Sequence, residues 1–265
     1  MVAKVLRIAY AGTPNFAVPA LRRLLDSAHE VCLVFTQPDR PSGRGKKLQH
    51  SPVKTCAQRH GVPVYQPVKM AQDEADLLKS HSIDLLVVAA YGQLVPVSVL
   101  GAPTFGCVNI HASVLPRWRG ASPIVHAILS GDRFSGVSIM VMEAGLDTGP
   151  VLLSCKQEIT SKMTQGQLEL LLSASGADQL CKVVNQLDFY FQRATPQPKD
   201  GVTYAAKLQK RQAQISWNAS SLSISLHVRA FNPAPMAYSF FKGERVRVLD
   251  VEIDESISTS AAPGT

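Results

Sequence analysis

The 265-residue chain has no cysteine pair in C-x-x-C spacing; its five cysteines, Cys32, Cys56, Cys107, Cys155 and Cys181, are odd in number and far apart. That argues against a disulfide framework or a structural zinc site and suits reduced thiols. Aromatic residues make up only 6% of the sequence and charged residues 18%, yet 46% is hydrophobic, so core material is ample and nothing suggests general disorder. No apolar run reaches the roughly 18 residues that a membrane span requires, and Met1–Val5 runs into strand-like sequence instead of a signal-peptide core. A cytoplasmic protein without a membrane partner is expected. After the first apolar strand stands Gly12 alone, where a dinucleotide fold carries G-x-G-x-x-G, and Pro14 removes a backbone donor. A nicotinamide site loses its main support there. No internal repeat is present.

What the sequence does have is alternation. Leu6–Ala11, Val31–Thr36, Val62–Tyr65, Ile83–Ala90, Cys107–Ile110 and Gly136–Met142 read as strands. Thr13 as cap and Pro14 as first-turn residue predict a helix through Leu21, Leu24 and Leu25, and Ser51-Pro52 repeats that start. Ala71–His81, Ser122–Leu129 and Thr164–Leu187 read as further helices. The almost unbroken apolar run Ile83–Ala90 predicts a central strand buried on both faces. The fold class is therefore α/β, a doubly wound, mostly parallel, Rossmann-like sheet, with ligands beyond the carboxyl ends of its strands. Gln192–Gly201 has the proline and polar content of a linker. The expected division is a catalytic domain over 1–190, a linker over 191–206 and a second unit over 207–265. That unit should hold a helix over Ser220–Arg229, the loop Phe231–Met236, and two strands around Tyr238–Phe241 and Arg245–Leu249 turned by Lys242-Gly243-Glu244. The last residues, 256–265, are small and polar.

Asn109 and His111 share one side of an extended segment by their i, i+2 spacing, and Asp147 closes a separate unit on the same predicted face. An imidazole can move a proton near neutral pH, an amide can donate to a developing oxyanion, and a carboxylate can orient the ring. Singly, each is more often a satisfied structural group; together they form a constellation for acyl transfer without a metal. Formal charge is +7, and the loop Arg40–Leu48 carries four cations, Arg40, Arg44, Lys46 and Lys47, with no anion. Such a run is either a solvated loop or a clamp on RNA phosphates. Arg117-Trp118-Arg119 is either a stacked structural turn or a ligand contact.

The stretch His111–Pro123 resembles the signature of the folate-dependent formyltransferases. Ala11–Pro14, Phe35–Pro41, Gly43–Lys47, Ser51–Lys54, Ala90-Tyr91-Gly92, Gly145–Gly149, Arg229–Pro233 and Pro235-Met236 extend the resemblance over nearly the whole chain, toward the branch that acts on methionyl-tRNA. It implies transfer of a formyl group from 10-formyltetrahydrofolate to the α-amino group of methionyl initiator tRNA, in translation initiation, by a monomer without a metal. The catalytic residues implied are Asn109, His111 and Asp147. Folate would lie against Tyr91, Gly92, Ser113, Val114, Leu115 and Pro116, and tRNA against Arg40, Arg44, Lys46 and Lys47. The competing expectations are another amine acceptor such as a sugar nucleotide, hydrolysis of the formyl folate, and a catalytically silent RNA-binding protein. Many members have Gly and Leu where this chain has Ala112 and Val114, and Trp where it has Ala234. Members also continue for several strands past the Ala262–Thr265 region, completing a β-barrel-like (OB-like) domain. The resemblance thus implies a partial second domain, intact folate binding and weakened tRNA binding.

Overall fold

The structure, a computed structural model, describes residues 4–42, 45, 47–254 and 256. In chain order, β1 (Arg7–Gly12) leads through a 3-10 turn into α1 (Val18–Leu25) and β2 (Glu30–Phe35); β3 (Arg40–Ser42) and β4 (Lys47–Gln49) precede α2 (Pro52–Arg59) and β5 (Val64–Tyr65). Then come α3 (Gln72–Ser80), β6 (Leu85–Ala89), α4 (Val97–Leu100), β7 (Cys107–His111), β8 (Arg119–Gly120), α5 (Pro123–Leu129), β9 (Phe134–Val141) and β10 (Val151–Glu158). After them follow α6 (Gln165–Asn185), α7 (Leu187–Gln192), β11 (Tyr204–Ala205), α8 (Ser221–Ala230), β12 (Tyr238–Phe241) and β13 (Glu244–Arg247).

Seven strands form one sheet in the order β10-β9-β7-β6-β1-β2-β5, with the wholly buried β6 at its centre, as its apolar run predicts. From β7 through β5 neighbouring strands are parallel; β9 and β10 add antiparallel pairings at one side. The winding reverses at β1, which has β2 on one side and β6 on the other. Such a reversal opens a crevice beyond the carboxyl ends of the strands.

Helices cover both faces. Leu21, Leu24, Val53, Ala57, Ile128, Leu172 and Leu180 place α1, α2, α5 and α6 on one; Ala75, Leu78 and Val99 place α3 and α4 on the other. Ser51 caps α2, its Oγ accepting the Lys54 N–H at 3.0 Å, and Thr164 opens α6 in a reciprocal pair with Gln167. The first helix departs from expectation. Pro14 occupies the cap position of the Asn15–Ala17 turn without a side-chain cap bond. Thr13 Oγ1 instead donates to the Tyr91 carbonyl at 3.0 Å, because the loop after β6 presents that acceptor.

Two glycines set how closely layers approach. A Cβ at Gly176 would lie 2.8 Å from Ile110 Cγ2, so α6 sits hard against β7. A Cβ at Gly136 would lie 2.6 Å from Val114 Cγ2 and collide with the Cys155 carbonyl oxygen across the β9–β10 pair. Gly136→Ala is expected to cost about 2 kcal/mol through this overpacking, read as a lower urea midpoint.

The connecting segment is more tightly held than its composition suggests. Thr195 bridges Val151, β11 pairs in parallel with β8, and Thr203 Oγ1 accepts the Trp118 N–H at 2.9 Å. Beyond it, α8 packs on α5, and Ala213, Ile215, Phe231 and Tyr238 join the core that α5 and α6 share. Lys242 and Gly243, both at positive φ, turn the β12–β13 hairpin. The basic run also differs from a loop in its described part, since β3 pairs antiparallel with β4. Among the described residues, no helix is long and apolar enough to cross a membrane.

Candidate active site

Alternation along β7 turns Asn109 and His111 to the same side, and the β9–β10 turn returns Asp147 to them; all three line one cleft of about 630 Å³. His111 is only 5% exposed. Its strand is held on both edges, with His111 opposite Ser138 and Asn109 opposite both Val88 and Met140. Among the described residues, the Asn109 side chain has no hydrogen-bond partner in the protein, so the fold leaves its amide available to a ligand.

The ring of His111 has a defined polarity. Its Nε2 lies 2.8 Å from the Trp118 carbonyl oxygen. A carbonyl only accepts, so Nε2 carries a proton and the neutral ring keeps its lone pair on Nδ1. Nδ1 is 3.6 Å from Asp147 Oδ2, too long for a hydrogen bond but close enough for the carboxylate to act on a protonated ring. Oδ2 accepts the Gly120 N–H at 2.7 Å. Asp147 itself has φ +52, a left-handed conformation that Asp tolerates better than most residues.

Much of the rest of the lining comes from three loops, and Gly120–Val125 with Gln165 and Glu169 of α6 add to it. After β6, Ala90, Tyr91, Gly92, Leu94 and Val95 form one wall; after β9, Met142–Asp147 form another; Pro14 and Phe16 follow β1. Gln93 pins the first wall, accepting the Met70 N–H at 3.1 Å and donating to the Pro67 carbonyl at 2.9 Å. Leu94 and Leu146 are 83% and 53% exposed, leaving apolar lips on the cleft. Sequence patterning did not single these two out, because an exposed leucine carries no period of its own.

Tyr91 and Gly92 thus stand where a cleft ligand would meet them. Ser113, Val114, Leu115 and Pro116 follow directly on the cleft residues His111 and Ala112 and are not themselves among the residues lining the cleft. Ser113 is 1% exposed, its Oγ donates to the Arg117 carbonyl at 2.6 Å, and Ser138 Oγ bridges the Ser113 carbonyl and the Leu115 N–H. This turn buttresses His111, with the Ser113 hydroxyl and carbonyl and the Leu115 N–H satisfied within the protein. Arg117-Trp118-Arg119 resolves as a stacked structural turn: Arg117 grips Asp132 at 2.6 and 2.8 Å and lies 4.3 Å over the Trp118 ring, whose Nε1 donates to the same carboxylate. Arg119 reaches Gln197.

Of the four basic residues, Arg40 is exposed on β3 with Nη2 3.4 Å from Gln37 Oε1, and Lys47 begins β4. Arg44 and Lys46 lie outside the described residues. The base of this hairpin is tied to the cleft wall. Lys54 Nζ donates to Asp39 Oδ2 at 2.6 Å and to Gln66 Oε1 at 2.7 Å, while Gln37 Nε2 donates to the Tyr91 carbonyl. Hydrogen bonds from Lys54 and then Gln66 hold the Asp39 carboxyl below its usual range. A lowered carboxyl stabilises the fold above its unfolded value and loses that contribution as pH falls below about 4. Lys54→Met is expected to lower the urea midpoint at pH 7, with the gap to wild type narrowing as pH falls below about 4.

Among the described residues, neither a reactive thiolate nor a metal-binding cluster stands beside Asn109, His111 and Asp147. Burial pushes the Cys107 thiol up to about 12, so this cysteine, two positions before Asn109, supplies no thiolate near neutral pH. In the native protein it is expected to stay unalkylated by iodoacetamide at pH 7.5, by peptide mass mapping. Among the described residues no three His, Cys, Asp or Glu side chains gather as a metal site would require.

Gln197 is the functional-site neighbour that sequence reasoning missed. Its Nε2 donates to the carbonyls of Asp147 and Gly149, each at 2.8 Å. It lies 50 residues from Asp147 between two prolines in linker-like sequence, and no local pattern signals the contact.

Comparison with known proteins agrees with this architecture. The family described as formyl transferase matches residues 4–184, and the formyl transferase C-terminal domain matches 207–265. The methionyl-tRNA formyltransferase of Chromohalobacter salexigens is 47% identical over 98% of this chain and 81% of its own length. That of Xanthomonas axonopodis pv. citri is 50% identical over 98% of this chain and 85% of its own. Among solved structures, an N-formyltransferase from Helicobacter canadensis, in complex with folinic acid and dTDP-3-aminofucose, superposes with TM-score 0.69 at 19% identity, over 92% of this chain and 87% of that one. At that identity the likeness speaks for the fold alone. With sheet, cleft and close relatives in accord, the chain belongs to the formyltransferase family, among the methionyl-tRNA formyltransferases.

Proposed function

We propose that the chain transfers the formyl group of 10-formyltetrahydrofolate to the α-amino group of methionine esterified to initiator tRNA. The observation that carries this reading is the convergence of Asn109, His111 and Asp147 on one cleft in a chain this similar to the methionyl-tRNA formyltransferases. The cleft suits the donor: its volume of about 630 Å³ lies within the usual small-molecule range. Ala90, Leu94, Val95, Met142 and Leu146 offer apolar surface to a flat ring, and Tyr91 and Gly92 lie beside them in the same wall.

Asn109 donates its amide N–H to the formyl oxygen as the amine adds and charge collects there. His111, its Nε2 proton committed to Trp118, takes the proton shed by the new amide nitrogen on Nδ1. It returns that proton to the folate nitrogen as the old carbon–nitrogen bond breaks, so atoms and charge balance without a covalent enzyme intermediate. Asp147 stabilises the ring while it carries the extra proton. The basic residues Arg40, Arg44, Lys46 and Lys47 meet acceptor-stem phosphates, which need no base-specific code.

Presenting the enzyme and formyl donor with methionyl initiator tRNA, a sugar-nucleotide amine, or neither tests the acceptor. Formyl-methionyl-tRNA as the dominant product by acid gel supports the reading; a formylated sugar amine, or release of formate alone, overturns it. Arg44→Ala is expected to weaken tRNA binding across sequences, to lower the salt slope of binding by about one, and to leave donor binding unchanged. Filter binding at several salt concentrations reads both.

A further inference from the structure

Gln197 lies between the two stretches that the family descriptions match, so nothing about the family assigns it a task. Its amide is nevertheless used to capacity. Oε1 accepts Arg119 Nε at 3.0 Å and Nη2 at 2.7 Å, while Nε2 donates to the Asp147 and Gly149 carbonyls at 2.8 Å each. Two N–H groups and two lone pairs are all such a side chain has. A linker glutamine facing solvent would show none of this.

The bonds converge on one turn. Gln197 holds the carbonyls of Asp147 and Gly149, on either side of Thr148, and so fixes the backbone of a turn in which Asp147 has φ +52. From the other side, Asp147 Oδ2 takes the Gly120 N–H at 2.7 Å. Arg119 and Gly120 are the two residues of β8, so that strand fixes Asp147 twice, directly and through Gln197. β8 in turn is set by the connector: Arg119 N–H donates to Thr203 O, Ala121 N–H donates to Ala205 O, and a Cβ at Gly120 would lie 2.7 Å from that same Ala205 oxygen. Arg119 is 8% exposed, and its guanidinium polarises the Gln197 amide, strengthening both donations.

We propose that Gln197 and Arg119 are a positioning pair for Asp147, and that the 195–205 connector builds the active site as well as joining its two flanks. Neither residue lines the cleft, so they act through the carboxylate's place beside His111 Nδ1. The kinetic arm of the test rests on the proposed formyl transfer; the structural arm does not.

Gln197→Glu keeps size and the Arg119 pairing but cannot donate, and Gln197→Met removes both. The Gly120 amide reports the carboxylate, since Asp147 Oδ2 is its acceptor. Hydrogen exchange of Gly120 is expected to quicken at least about tenfold in both variants while the Arg119 and Ala121 amides keep wild-type rates. In the same proteins kcat for formyl transfer should fall about 10- to 100-fold with the donor KM nearly unchanged, as for a misplaced catalytic group. Arg119→Lys, a milder change, should give an intermediate Gly120 rate and serves if either glutamine variant fails to fold. Unchanged Gly120 exchange, or equal acceleration at all three amides, overturns the proposal. If wild type formylates no acceptor, the functional reading falls, while selective Gly120 exchange still supports the positioning role.

Discussion

Asn109→Ala is expected to lower kcat for formyl transfer about 100- to 1,000-fold, the usual loss for one oxyanion donor. Thermal stability and donor affinity should change little. The reason is visible in its surroundings: Asn109 lines the cleft on a strand whose backbone is paired on both sides, and its side chain bonds nothing in the protein among the described residues. Truncation therefore orphans no buried partner. Asn109→Asp has the same shape but only accepts at neutral pH, so it should do no better than alanine. Single-turnover rates with saturating donor, beside thermal melts, separate lost chemistry from lost fold.

His111→Gln carries a larger expected effect, about 100- to 10,000-fold in kcat. Glutamine can still donate to the Trp118 carbonyl that now holds Nε2, so the buttress turn behind the ring keeps its partner. What it lacks is a ring nitrogen with a lone pair that can take up the proton in transit and hand it on. The variant should keep binding a non-reactive folate analogue while its turnover falls. A variant that keeps wild-type turnover would remove proton transfer at His111 from the mechanism.

Sequence patterning read some parts of this molecule well for identifiable reasons. Ile83–Ala90 announced the central strand because burial on both faces demands a continuous apolar run, and Thr164 with Gln167 announced the start of α6 through local hydrogen bonds. Asn109 and His111 were legible because a strand's two-residue period forces them to one side. Thr13 misled because its hydroxyl had a choice, and a distant carbonyl at Tyr91 won over the local cap. Gln197 was invisible, since its acceptors and donor stand 48 to 78 residues away and its neighbours have linker composition. Local physics is written locally, and long-range polar contacts are not.

The central claim is that this cleft moves a formyl group onto methionyl-tRNA through His111. Its most direct test incubates wild type and His111→Gln, side by side, with 10-formyltetrahydrofolate and charged initiator tRNA, and quantifies formyl-methionyl-tRNA by acid gel or mass spectrometry. The account predicts product with wild type and a loss of about 100-fold or more with the variant, at equal folate-analogue binding. No product from wild type, or comparable product from both, would contradict it.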